Sequence, residues 1–167
     1  LGYYSLKYNT MAYVSLDTQQ VKRANKKHKY TKEQVLQLEK CMDEKTGPLY
    51  FMKTFMKIQH PTKGEMAFKP YPYQERLIES YNSHRFSISM LPRQTGKTTC
   101  ASGYIIWYAM FKPDSQILIA AHKYAGASDI MSRVRYAYEM LPGWIKAGVN
   151  SYTVSYTHLR AHETHEH

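Results

Sequence analysis

Apolar and polar residues alternate along this chain with two distinct periods, and the helical period dominates. Over residues 31–44, Val35, Leu38 and Met42 recur on one helical face, and Thr31 with Gln34 three residues on has the spacing of a capping box. Gly47-Pro48 is expected to end that helix. Residues 50–58, with Tyr50, Phe51, Phe55, Met56 and Ile58, read as a second apolar-faced helix broken by His60-Pro61, and residues 62–69 around Gly64 as a hairpin or loop. Residues 74–82 form a third helix with Leu77 and Ile78 inward. A fourth, 98–111, would bury Ala101, Ile105, Tyr108 and Ala109 and stop at Lys112-Pro113-Asp114. A fifth, 126–141, carries Ile130, Val134, Ala137 and Leu141 on its buried stripe, keeps Arg133 and Arg135 off it, and ends at Pro142-Gly143, with Trp144 and Ile145 capping the core.

Two segments carry the strand signal instead. Phe86-Ser87-Ile88-Ser89-Met90 alternates strictly and reads as a buried strand. Gln116-Ile117-Leu118-Ile119-Ala120-Ala121 is a continuous apolar run of strand length, as in a parallel strand covered on both faces. With a helix between them they make a right-handed crossover unit. His122-Lys123 then falls just past the C-terminal end of the second strand, the edge where open α/β sheets place ligands. A ligand-side role and a solvated loop both remain open for that pair.

Between the first strand and its helix lies Leu91-Pro92-Arg93-Gln94-Thr95-Gly96-Lys97-Thr98-Thr99. Strand, loop, helix is the setting of a phosphate-binding loop. A loop wrapped round a helix N-terminus points successive backbone N–H groups at an anion, and Gly96 allows a tight turn. Lys97 would reach the β- and γ-phosphates of ATP, and the Thr98 hydroxyl would enter the shell of Mg²⁺. The full pattern G-x-x-x-x-G-K-[ST] needs a glycine at Leu91, so a bare helix start with an exposed lysine stays open on the motif alone. Upstream, the Gln74 amide offers one donor and one acceptor, the complement of the adenine N6/N7 edge, and Tyr73 beside it offers a ring to stack on the purine; packing and solvent contact at a helix start is the alternative for both.

Composition adds charge. The chain has 167 residues, enough for one domain with a core, and 23 Lys+Arg against 13 Asp+Glu give a net charge of +10, which favours a polyanionic partner such as DNA or RNA. Lys22, Arg23, Lys26, Lys27 and Lys29 concentrate in a basic arm within residues 1–30, read either as a solvated tail or as a DNA-contacting segment. Two cysteines, Cys41 and Cys100, without paired spacing argue against a disulfide framework or a zinc site and fit a reducing cytosol. No run approaches the roughly 18 consecutive apolar residues of a membrane span, so no membrane association and no secretion are expected.

The run Arg93-Gln94-Thr95-Gly96-Lys97-Thr98-Thr99 resembles the variant phosphate loop of the large terminase subunits of tailed bacteriophages. Tyr73-Gln74, Ala120-Ala121-His122-Lys123 and Leu141-Pro142 extend the resemblance over about residues 30–149. It implies an α/β fold, the parallel sheet of a P-loop NTPase with flanking helices (residues 71–150, a partial domain), preceded by a helical N-terminal region (31–70). It implies an ATPase with ATP and Mg²⁺ as cofactors, working in the host cytoplasm as a homo-oligomeric ring on the portal, with the small terminase subunit and double-stranded DNA as partners. Carried over by position, Lys97 and Arg93 are catalytic, the latter an arginine finger in cis. Gln94, Thr95, Gly96, Lys97, Thr98, Thr99, Gln74 and Tyr73 bind the nucleotide, and Thr98 holds Mg²⁺. Pro92 stands where a small polar residue is more usual in the family. A helicase-like P-loop ATPase and a non-catalytic nucleic-acid-binding domain are the alternative readings.

Residues 154–164 resemble a reading-frame translation of a transposon-end sequencing adapter, which takes residues 151–167 out of fold reasoning; residues 1–10 precede Met11 and are expected to be foreign or a remnant of a longer chain. His162-Glu163 therefore carries no zinc message, and Glu166 stands where H-E-x-x-H needs histidine. A phosphate loop also needs an acidic partner for Mg²⁺ and water. After Leu118 the only acids before the tail are Asp129 and Glu139, both in a predicted helix, so the Walker B acids and the nuclease domain of the resembled family are missing.

Overall fold

The computed structural model describes residue 22 and residues 28–60, 62 and 64–149. Most of the basic arm and the whole adapter-like tail lie outside the described residues. The elements run α1 (Lys32–Met42), α2 (Gly47–Phe55), β1 (Lys57–His60), β2 (Gly64–Ala67), α3 (Pro72–Ser83), α4 (Lys97–Phe111) and α5 (Tyr124–Glu139).

The capping box at the start of α1 forms as expected: Gln34 N–H donates to Thr31 Oγ1 at 3.3 Å, and Thr31 N–H to Gln34 Oε1 at 3.0 Å. The buried edge of the helix differs from expectation. Cys41 is fully buried and Leu38 packs on the core, while Val35 and Met42 are exposed, because α2 folds back along only one side of α1. Gly47-Pro48 opens α2 rather than closing α1, since proline is pre-set for a first turn. Asp43 makes the joint, its Oδ1 accepting from the Thr46 N–H and Thr46 hydroxyl, both at 2.7 Å. Helix α2 ends at Phe55, so Ile58 belongs to β1 and not to a helix. β1 and β2 pair antiparallel, Ile58 opposite Met66, so the hairpin left open for residues 62–69 forms with its first strand earlier, at Lys57–His60.

Helix α4 lies against α2, α3 and α5 and organises the core. Its buried face is Cys100, Ser102, Gly103, Ile106 and Trp107, one residue round from the expected Ala101, Ile105, Tyr108 and Ala109. The helix is apolar on nearly every side, so periodicity decides the face weakly, and the largest and smallest residues decide it instead. Trp107 is buried with its indole N–H on the Cys41 carbonyl at 2.8 Å. At Gly103 a Cβ would fall 2.5 Å from Met52 Cε and 2.6 Å from Met56 Sδ, so α2 packs directly on the α4 backbone. On α5, Val134, Ala137 and the following Leu141 are buried as expected, and Lys146 Nζ donates to the Glu139 carbonyl at 2.7 Å at the helix end.

The two anticipated strands are the main correction. Residues 86–90 and 116–121 form no ladder, and among the described residues the only sheet is β1–β2. Phe86, Ile88, Met90 and Leu118 are 80%, 97%, 95% and 81% exposed. The Ser87 hydroxyl instead turns towards α3, donating to the Ser80 carbonyl at 3.1 Å. Strand pattern specifies alternation but needs a neighbouring strand to become a ladder, and none lies alongside. The architecture is thus mixed, five helices and one hairpin among the described residues, without the parallel sheet or its crossover.

Candidate phosphate-loop site

The loop before α4 is a closed hoop. The Lys97 ammonium reaches back across it to the Leu91 carbonyl at 3.1 Å, and the Thr95 hydroxyl donates to the Pro92 carbonyl at 3.0 Å, so the loop's end is tied twice to its beginning. Two residues adopt left-handed backbone, Gln94 at φ 63° and Gly96 at φ 75°. Glycine takes this conformation freely, whereas glutamine there is strained, as residues at functional turns often are. Gly96 is the N-cap of α4, which has no side-chain cap, and the first helical bond runs from Cys100 N–H to the Gly96 carbonyl at 3.0 Å. The N–H groups of Lys97, Thr98 and Thr99 therefore precede the helix's own hydrogen bonding and face the loop end, where the helix dipole favours an anion.

Helix α3 holds the hoop from below. Tyr73 hydroxyl and Gln74 Nε2 both donate to the Thr95 carbonyl, at 2.9 and 3.0 Å. Gln74 Oε1 accepts from the Tyr71 N–H at 3.0 Å, and the side chain is only 6% exposed. Both polar atoms of that amide are thus engaged inside the protein, one on the start of its own helix and one on the loop. A Cβ at residue 96 would lie 2.6 Å from Gln74 Nε2, so a side chain there would push that amide off the Thr95 carbonyl as well as strain the positive φ. The Tyr73 ring stacks on Tyr71 at 5.8 Å and 6° between planes, and Tyr71 is 64% exposed. Tyr73 and Gln74, paired from the sequence for a purine, meet here on the Thr95 carbonyl; Tyr71, which was not singled out, had as its only signal its place two residues before Tyr73.

The other anticipated residues divide. Thr98 and Thr99 are half-buried in the first turn of α4, beside the loop amides, while Arg93 and Gln94 are exposed. His122 and Lys123 are exposed just before α5, with Lys123 as its N-cap. Thr98 supplies a single hydroxyl, and among the described residues no three His, Cys, Asp or Glu gather to hold a metal. Such a hydroxyl fits Mg²⁺ only where phosphate oxygens and water fill most of the octahedron. Asp129 pairs with Arg133 on α5 at 3.1 Å and does not serve as a loop-side acid. Cys41 and Cys100 are buried free thiols pushed up to about 12 and about 11 by desolvation, which leaves neither as a nucleophile near neutral pH. Among the described residues no helix is long and apolar enough to cross a membrane. A scan against protein-family models finds no match to this chain.

Proposed function

We propose that this chain is the ATP-binding part of a viral DNA-packaging motor of the large-terminase kind, in which ATP hydrolysis drives double-stranded DNA. The observation that supports it most is the hoop itself: an uncapped helix N-terminus, a left-handed Gly96 packed against the Gln74 amide, and a lysine at the first helical position. In this reading Lys97 exchanges the Leu91 carbonyl for the β- and γ-phosphates, and the amides of residues 97–99 receive phosphate oxygens. Bound Mg²⁺ would neutralise developing charge on the phosphates, with Thr98 as its protein oxygen. Arg93, exposed on the loop, is free to approach the transferring phosphoryl group. Gln74 and Tyr73 serve by fixing Thr95, and the exposed Tyr71 ring offers a face to a purine. The exposed cations Arg85, Arg93 and Lys123 and the net charge of +10 suit a DNA partner.

Binding without turnover is expected, since among the described residues no pair of carboxylates stands at the loop. Titration with a fluorescent ATP analogue tests the assignment. Weak saturable binding that Lys97→Ala reduces at least tenfold supports it. Equal binding by both proteins would favour the non-catalytic nucleic-acid-binding reading, and steady hydrolysis would require an acid not yet identified.

A further inference from the structure

To tell adenine from guanine, a site must hold an acceptor against the adenine N6 amino group or a donor against guanine O6, at a fixed position. Gln74 is the amide nearest the hoop that could do so, and it is spent. Its Nε2 donates to the Thr95 carbonyl and its Oε1 accepts from the Tyr71 N–H, both at 3.0 Å, in a side chain only 6% exposed. The 2.6 Å between Nε2 and a Cβ built at Gly96 shows the amide packed directly against the loop backbone. Turning either atom to a base would strip the Thr95 carbonyl of a donor or take the acceptor from the first turn of α3.

Its neighbours do not replace it. Glu75, the next acceptor along α3, is paired with Lys53 at 2.6 Å. Tyr73 gives its hydroxyl to the Thr95 carbonyl at 2.9 Å. Lys69 and Arg76 are exposed and carry donors only, which N7 of either purine accepts. What is left is a ring. Tyr71 is 64% exposed and stacks on Tyr73, whose own hydroxyl reaches the loop, so an open aromatic face stands one ring away from the phosphate site. Stacking tolerates any base, because every base has a π-face. We infer that this site binds nucleoside triphosphates without reading the base: the loop selects the phosphates, Tyr71 stacks on whatever base follows, and ATP is one of several ligands accepted. The inference rests on the phosphate-loop reading above and sets what that loop selects.

Isothermal titration of the full chain with ATP, GTP and inorganic tripolyphosphate, each with Mg²⁺, tests this. ATP and GTP are expected to bind within about threefold of each other, since no base edge is read. Tyr71→Ala is expected to weaken both nucleotides by at least about fivefold and tripolyphosphate by less than about twofold, the signature of lost stacking. ATP binding at least about tenfold tighter than GTP, with Lys97→Ala weakening both, would overturn the inference and leave the phosphate loop standing. Two further results would overturn it in the same way. One is a loss of ATP alone in Gln74→Ala, which would show the amide reading adenine. The other is equal weakening of all three ligands in Tyr71→Ala, which would make that ring a support of the loop. Failure of all three ligands to bind, or binding indifferent to Lys97→Ala, would overturn the phosphate-loop reading itself and the inference with it.

Discussion

Gln74 is the residue on which the site's interpretation turns. Reading a base and bracing a loop make different demands on the same amide, and the geometry here spends Nε2 on Thr95 and Oε1 on Tyr71. A neutral hydrogen bond contributes about 0.5–1.5 kcal/mol net, so Gln74→Ala should cost roughly 1–3 kcal/mol in urea unfolding, with part of that from the Thr95 carbonyl losing a partner. The ligand dependence separates the two roles. If Gln74 braces the loop, Gln74→Ala weakens inorganic tripolyphosphate and ATP alike; if it reads adenine, tripolyphosphate binding is untouched. Gly96→Ala meets both a positive φ and a 2.6 Å contact, and we expect it to destabilise by roughly 1–3 kcal/mol and to abolish nucleotide binding. The sequence announced the chemistry of Gln74 but not its orientation. A donor and an acceptor can serve a base or a backbone equally well, and only the closeness of Thr95 and Tyr71 decides between them.

At the scale of elements, the joint between α1 and α2 carries a pH signature. Hydrogen bonds, first from the Thr46 hydroxyl, hold the Asp43 carboxyl below its ordinary value of 3.8. A folded value below the unfolded one gives stability that is complete above about pH 4 and drains as pH falls through the folded value. Thermal melts of the protein and of Asp43→Ala should therefore differ near pH 7 and draw together as pH falls below the ordinary carboxyl range; a gap independent of pH would show that the carboxylate is not what ties the joint. Elements were legible where their signals are local. The capping box of α1, the hairpin around Gly64 and the polar loop before α4 all depend on residues within a few positions of one another. The faces of α1 and α4 were not, because their choice rests on distant partners such as Met52 against Gly103 and Trp107 against Cys41.

The whole molecule leaves two strand-patterned segments, 86–90 and 116–121, without a ladder and with Phe86, Ile88, Met90, Ile117 and Leu118 exposed. Their alternation and apolarity were readable; their lack of pairing was not, since pairing belongs to a neighbour and not to the segment. Exposed, unpaired and apolar stretches invite strand addition. Sedimentation of the full chain should show association rising with concentration, reduced in a variant combining Phe86→Ser, Ile88→Thr and Met90→Thr; a strictly monomeric protein that binds no hydrophobic dye would count against this exposure. The central claim is that the hoop before α4 receives a triphosphate, and amide NMR during a titration with Mg²⁺-ATP tests it most directly. The account predicts the largest shifts at Gly96, Lys97, Thr98 and Thr99, with Thr95 following and Lys97→Ala erasing them. Small shifts scattered over the exposed lysines and arginines, with the loop amides unmoved, would contradict it and leave only a basic surface attracting an anion.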